Sequence, residues 1–204
     1  VNDIIDKKYD KKVRRTRLRP LASEALEITD AIILFIIFIS IGLSILLKLN
    51  LYCILLGFIA FPLVLLYPFM KRYTYFPQLF LAIIFNFSVL ISWTAVKGNF
   101  DNECLILYLA CIFWTLGYDT IYALQDKDDD KKVGIKSMAL YLENNINFWI
   151  ILFYFCFVSL FSYLAILKNI NFIFFIILYL FAAKIIYDFY HIKKRESKNF
   201  MKIF

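Results

Sequence analysis

TDAIILFIIFISIGLSILL, residues 29–47, is the stretch that decides the fold class, because it is apolar over a membrane's thickness. About 20 consecutive apolar residues in a helix cross the hydrocarbon core of a bilayer. Similar runs follow at about 50–68, 76–96, 104–124, 147–167 and 170–190. Their residues do not alternate between apolar and polar, as the strands of a membrane β-barrel do. The sequence therefore predicts an all-α, multi-span transmembrane helical bundle with about six spans. Such a bundle is embedded in the lipid bilayer.

Composition and charge agree with a membrane protein. The 204 residues are 62% hydrophobic, whereas a soluble domain is about 45–50% apolar. The formal net charge is +7, and 19 of the 23 lysines and arginines lie in four segments, 1–25, 69–75, 125–146 and 191–204. These segments alternate with three short links that carry one lysine each. Cytoplasmic loops of membrane proteins carry such an excess, so the charge indicates topology, and no nucleic-acid partner is expected.

The four cysteines lie in or beside the apolar runs and show no C-x-x-C spacing. Pairs at that spacing are typical of metal sites and redox motifs. We therefore expect buried, inert thiols.

An acidic cluster stands at the start of the chain. Asp3, Asp6 and Asp10 are spaced i, i+3, i+7, so a helix would place them on one narrow face. Asn2, four residues before Asp6, joins that face.

A second acidic cluster follows the fourth apolar run. Asp119, Tyr122, Asp126 and Asp130 are spaced i, i+3, i+7, i+11, which again predicts one helical face. Asp128 and Asp129 would point elsewhere. Both clusters fall at the predicted cytoplasmic end of the bundle, so we expect them to face each other.

Two facing sets of carboxylates need cations between them. Oxygen ligands suit Mg²⁺, which is usually bound through one or two carboxylates together with substrate phosphates. The segment GIKS, residues 134–137, lacks the upstream glycines of a phosphate-binding loop. The pattern thus predicts a diphosphate held by magnesium, lysine and arginine. Charged loops that merely cap membrane helices are the plainer explanation, but aspartates add nothing to topology.

Three stretches resemble the UbiA-type intramembrane aromatic prenyltransferases. NDIIDKKYDKKVRRTRLRPLAS (2–23) is similar to their first aspartate-rich motif, and YDTIYALQDKDDDKKVGIKS (118–137) to their second. YPFMKRYTYFPQLFLAIIFNF (67–87) resembles the segment between them. The resemblance covers the whole chain and implies one membrane domain over 1–204. Because the family's bundle has nine spans, it also implies that this sequence holds the third to eighth and is truncated at both ends.

The resemblance implies an activity and a site. The second motif is most similar to the branch that transfers a polyprenyl group from polyprenyl diphosphate to the ring of 4-hydroxybenzoate, ortho to the hydroxyl, in ubiquinone biosynthesis. It implies a bacterial inner membrane location with active-site loops on the cytoplasmic side. The expected Mg²⁺ ligands are Asp6, Asp10, Asp126 and Asp130. The expected substrate-binding residues are Asn2, Arg15, Arg19, Lys71, Arg72 and Tyr122, and the expected catalytic residues are Asp3, Asp119 and Arg72.

Several points stay open at this stage. The base for the ring proton is Asp3, Asp119 or diphosphate itself. Another aromatic acceptor, such as a naphthoate, homogentisate or haem, is an alternative within the family. A membrane transporter is an alternative outside it, although the aspartates cluster at one membrane face and not along a path. The length of the prenyl chain and the oligomeric state are not indicated.

Overall fold

All regular structure in the described part of the chain is helical. The computed structural model describes residues 1–13 and 15–194, with side chains as far as His191. The helices are α1 (Asn2–Asp10), α2 (Ile28–Leu46), α3 (Leu51–Tyr73), α4 (Pro77–Phe85), α5 (Phe87–Lys97), α6 (Asn102–Ala123), α7 (Lys127–Val133), α8 (Met138–Tyr141), α9 (Ile146–Leu167) and α10 (Phe172–Lys194). A 3₁₀ turn, Glu143–Asn145, joins α8 to α9.

Six helical stretches within these described residues are long and apolar enough to cross a membrane. They are Ile28–Leu46, Leu51–Tyr73, Pro77–Lys97, Asn102–Ala123, Glu143–Leu167 and Phe172–His191. The predicted fold class, an all-α bundle with about six spans, is confirmed. All four cysteines are free thiols. Cys53 and Cys104 are buried as expected, whereas Cys111 and Cys156 are only partly buried.

The helix ends follow local sequence signals. The side chain of Asn50 accepts a hydrogen bond from the backbone N–H of Cys53, and Asp101 does the same for Cys104. Such N-caps satisfy donors that a helix start leaves without an intrahelical partner. Gly98, with φ of 74°, ends α5 in the left-handed region that glycine tolerates best.

The third span is built from two helices, because Asn86 interrupts it between α4 and α5. The amide of Asn86 donates to the Thr115 hydroxyl at 2.9 Å and to the Cys111 carbonyl at 3.2 Å, both on α6. It also donates to the Ala82 carbonyl at 2.7 Å. A buried polar group needs such partners. Asn86 therefore fixes the kinked span against α6.

The most extensive helix–helix contact lies between α6 and α9. A Cβ on Gly117 of α6 would lie 2.8 Å from Cζ of Tyr154, which is 1% exposed. Only glycine lets the ring approach the α6 backbone so closely. The turn of α6 that carries Gly117 and Asp119, where the second acidic segment begins, thus packs directly against α9.

Candidate active site

A cavity of about 180 Å³ lies where α1, α3, α6 and α7 meet, at one end of the bundle. Both acidic segments contribute to its walls, so the structure brings the two clusters together. The expected site residues that line it are Asn2, Asp10, Arg15, Arg19, Lys71, Asp119, Tyr122, Asp126 and Asp130. Asp3, Asp6 and Arg72 are not part of the lining.

Asp6 and Arg72 fasten α1 to the end of α3. Lys71 donates to Oδ2 of Asp6 at 2.6 Å, and Asp6 is 1% exposed. Arg72 donates to the carbonyl of Ile5 at 3.0 Å, and its guanidinium lies 5.1 Å from the ring centroid of Tyr9. These contacts set the position of the first acidic cluster relative to the membrane-spanning part of α3.

Arg19 holds the two ends of α1's acidic face. Its Nη1 donates to Oδ1 of Asp3 at 2.9 Å and to Oδ2 of Asp10 at 3.1 Å. The Thr16 hydroxyl donates to the carbonyl of Asp10 at 3.1 Å, which folds the following turn back onto α1. Asp10 is mostly buried, whereas about half of the Asp3 side chain is exposed.

Arg15 connects the first acidic segment to the second. Its Nε and Nη2 donate to the carboxylate of Asp126, at 2.9 and 2.5 Å, and its Nη1 donates to Tyr122 Oη at 2.7 Å. The bond to Asp126 raises the pKa of the Arg15 guanidinium above its usual value. A two-pronged contact of this kind fixes orientation as well as charge.

The prediction of one continuous helical face from Asp119 to Asp130 was wrong. Helix α6 ends at Ala123, and α7 begins at Lys127. Between them Leu124, Gln125 and Asp126 each donate a backbone N–H to the carbonyl three residues earlier, which is the tighter winding of a 3₁₀ turn. The turn redirects the chain, yet the three carboxylates still line the same cavity. Asp128 and Asp129 lie outside its lining, as predicted.

Asp130 is the most strongly perturbed of the carboxylates outside the spans. Burial raises its pKa to about 7, and the neighbouring charge of Asp126 adds to the rise. Lys71 and Arg15 act in the opposite direction. Both burial and a like charge disfavour the ionised form. The lining as a whole carries four aspartates and four lysine or arginine side chains, so its formal charges balance.

The carboxylates fit Mg²⁺ that is shared with a phosphate ligand. Within the described residues no three acidic, histidine or cysteine side chains are grouped closely enough to hold a metal by themselves. The first segment instead presents Asp10 to the cavity, and the second presents Asp119, Asp126 and Asp130. Mg²⁺ commonly takes one or two carboxylates from a protein and completes its shell with water and substrate phosphates.

Other residues of the lining were not expected from the sequence. They include Tyr9, Thr16, Tyr67, Gln78, Lys136 and Ser137. Thr16, Lys136 and Ser137 lie inside the two acidic motifs, and Gln78 lies inside the segment between them. No charge pattern distinguishes the neutral members from their neighbours, and Lys136 is one of several lysines in its segment, so spacing alone did not select them.

Comparison with known proteins decides the family. The UbiA prenyltransferase family matches over residues 1–204. The chain belongs to the UbiA prenyltransferase family. The predicted resemblance is thereby confirmed.

Curated relatives in this family share a name. The chain is 48% identical over 151 residues to the mitochondrial 4-hydroxybenzoate polyprenyltransferase of Drosophila melanogaster, covering 74% of this chain and 38% of that protein. It is 39% identical over 204 residues to the 4-hydroxybenzoate octaprenyltransferase of Francisella tularensis subsp. novicida, covering 100% of this chain and 72% of that protein. The chain thus spans well under half of the fly protein and about three quarters of the bacterial one.

Two solved structures share the fold. A UbiA homolog from Aeropyrum pernix K1 in its apo form superposes with a TM-score of 0.82 at 25% identity, covering 99% of this chain and 77% of that one. A digeranylgeranylglyceryl phosphate synthase superposes with a TM-score of 0.68 at 22% identity, over 99% and 72% of the two chains. The second likeness concerns the fold alone.

Proposed function

We propose that this chain transfers a polyprenyl group from polyprenyl diphosphate to the ring carbon of 4-hydroxybenzoate ortho to the hydroxyl. The observation that carries the proposal is the shared cavity, in which Asp10 of one acidic segment and Asp126 of the other lie beside Arg15, Arg19 and Lys71. Two sets of carboxylates with cations between them suit a metal-bound diphosphate better than any single-charged ligand. The names of the curated relatives supply the acceptor.

The residues of the cavity divide into two sets by charge. Arg15, Arg19 and Lys71, assisted by Asn2 and Tyr122, bind the diphosphate oxygens. Asp10, Asp126 and Asp130 would hold Mg²⁺. Asp6, expected from the sequence as a fourth ligand, lies outside the lining and pairs with Lys71 and Arg72, so it positions α1 instead. When bound, magnesium neutralises the charge that develops on the leaving diphosphate.

The reaction is an electrophilic substitution. The allylic C–O bond breaks, and its electron pair leaves with the diphosphate, where the cations of Arg15 and Lys71 stabilise it. The ring carbon then forms the new C–C bond, and its proton leaves to restore aromaticity. Asp119 is the base, because it lines the cavity whereas Asp3 lies outside it and is bound to Arg19. Arg72 positions α1 and does not line the cavity.

Location and pathway complete the proposal. The protein is a multi-pass membrane protein. The excess of lysine and arginine at the cavity end supports a cytoplasmic position for that end, and the location in the proposal is a bacterial inner membrane. The product is the prenylated acid of ubiquinone biosynthesis.

The test is an assay of membranes that carry the full-length protein, with labelled prenyl diphosphate, 4-hydroxybenzoate and Mg²⁺. We expect label on the acid, loss of that product with a chelator, and loss with Asp126→Asn. The matched control, Asp128→Asn, changes a neighbouring carboxylate outside the cavity lining and should keep the activity. If the enzyme prefers a different aromatic acceptor, that acceptor replaces 4-hydroxybenzoate in the proposal. Movement of a solute across the membrane without any prenylated product would favour the transporter.

A further inference from the structure

Two neutral polar side chains in the wall of the cavity, Gln78 and Ser137, are assigned neither to the diphosphate, nor to the metal, nor to the ring proton. Gln78, at the start of α4, is 6% exposed, and Ser137, just before α8, is 3% exposed. Both line the cavity that holds the acidic clusters. Polar groups buried this deeply are normally hydrogen-bonded, and exceptions require an explanation.

Both side chains have hydrogen-bonding capacity left over. The Ser137 hydroxyl is buried and has no partner among the described residues. The Gln78 carbonyl oxygen accepts the backbone N–H of Met138 at 3.0 Å. That bond orients the carboxamide and leaves its two N–H donors for another acceptor. The wall thus offers neutral donors to whatever enters.

The backbone around these donors is held in place. The N–H of Lys136 donates to the carbonyl of Lys71 at 2.9 Å, and its ammonium donates to the carbonyl of Tyr73 at 3.1 Å. Together with the bond between Met138 and Gln78, these contacts pin residues 136–138 across the end of α3 and the start of α4. Donors held by such a frame are oriented before a ligand arrives, which lowers the entropy cost of binding.

We propose that Gln78 and Ser137 bind the carboxylate of the aromatic acceptor and thereby select an aromatic acid. This inference rests on the proposed function. The reacting ring carbon lies next to the hydroxyl, and the carboxylate is para to that hydroxyl. A ring that attacks the allylic carbon of a diphosphate held by Arg15 and Arg19 must therefore place its carboxylate on other groups of the wall.

The available side chains favour this assignment. The Thr16 hydroxyl is already committed to the carbonyl of Asp10, and Arg15, Arg19 and Lys71 are assigned to the diphosphate. Gln78 and Ser137 can supply up to three N–H and O–H donors to the two oxygens of a carboxylate. A site built to hydrogen-bond a substrate group rejects analogues that lack the group, because its buried donors stay unpaired.

The experiment compares Ser137→Ala and Gln78→Glu with the wild-type full-length protein in membranes. Ser137→Ala should raise the KM for 4-hydroxybenzoate about tenfold, the effect of one hydrogen bond to a charged group, and leave the KM for polyprenyl diphosphate unchanged. Gln78→Glu keeps an oxygen for the Met138 N–H but adds a charge that repels the acid. With the neutral analogue 4-hydroxybenzamide, both penalties should shrink severalfold. Ser162→Ala, a buried serine on α9 far along the chain, is the control and should change neither constant.

Two results would overturn the inference. One is an increase in the KM for the diphosphate equal to that for the acid, which would assign these donors to the other substrate. The other is an unchanged KM for the acid in both variants, with thermal unfolding midpoints like that of the wild type. Equilibrium binding of radiolabelled 4-hydroxybenzoate to the purified protein decides the matter without turnover. Failure of the proposed function would give a different result, because the wild-type protein itself would then form no prenylated acid.

Discussion

Arg15 and Asp126, 111 residues apart in sequence, are joined by a two-pronged ion pair with donor–acceptor distances of 2.9 and 2.5 Å. Each residue belongs to a different acidic segment, and each lines the same cavity. The pair therefore joins the charged groups on α1 and α3 to those on α6 and α7. A metal ion can therefore bind Asp126 only when Arg15 releases this carboxylate and pairs with another anion. A diphosphate is such an anion.

Replacement of Arg15 tests this exchange of partners. Arg15→Gln should raise the KM for polyprenyl diphosphate by at least tenfold, because a charge-assisted contact to the leaving group is lost. Arg15→Lys should recover only part of the loss, since an ammonium cannot make the paired contact. Steady-state kinetics with varied diphosphate measure both. Arg17→Gln, at an exposed position outside the lining, is the control, and an equal effect there would contradict the assigned role.

Asp130 is expected to set the requirement for magnesium. Asp130→Asn should shift the Mg²⁺ concentration for half-maximal rate upward and lower the maximal rate by roughly a hundredfold, the order of effect of one electrostatic group in an active site. A magnesium titration of membrane-bound enzyme measures the shift. Asp128→Asn should leave the titration unchanged, and identical curves for wild type and Asp130→Asn would remove Asp130 from the metal site.

Asp119 and Asp3 are separated by a kinetic experiment on the ring proton. Asp119→Asn should lower kcat about a hundredfold, the usual contribution of a general base, with little change in either KM. Deuterium at the ortho positions of the acceptor should then give a larger isotope effect than in the wild type. Asp3→Asn breaks one bond to Arg19 and should reduce kcat much less. The opposite order of the two variants would return the assignment to Asp3.

Gly117 is predicted to control the packing of α6 on α9. Gly117→Ala places a methyl carbon where the ring of Tyr154 lies, at 2.8 Å from Cζ. Overpacking of this kind costs about 1–3 kcal/mol, so the unfolding midpoint in detergent should fall. Gly42→Ala on α2 meets no atom within 4 Å and should change the stability by less than about 1 kcal/mol. Equal midpoints for the two variants would show that α6 shifts to accept the methyl group.

The main features of the fold could be predicted from local sequence. Runs such as 29–47 are apolar over the thickness of a bilayer, and neither tertiary contacts nor register needs to be known to recognise them. The interruption at Asn86 was not predicted, because it depends on a hydroxyl and a carbonyl of α6 that lie 25 or more residues away.

The candidate site shows the same division between local pattern and tertiary contact. The i, i+4 spacing placed Asp6 and Asp10 on one face of α1, where both are buried. Across 119–130 the same reasoning failed, because the helix ends at Ala123 and a turn intervenes. Spacing could not predict the pairing of Arg15 with Asp126 or the bond between Gln78 and Met138. Each of these contacts joins chain segments that are far apart in sequence.

The central claim is that the two acidic segments share one metal-bound diphosphate, and a double-mutant cycle on ligand binding tests it most directly. The ligand is a non-reactive prenyl thiodiphosphate with Mg²⁺, and the variants are Asp10→Asn, Asp126→Asn and the pair together. We predict that each single variant weakens binding at least tenfold and that the double variant loses clearly less than the product of the two, because groups that share one ligand are coupled. Independent, multiplicative effects, or unchanged binding in either single variant, would contradict the claim.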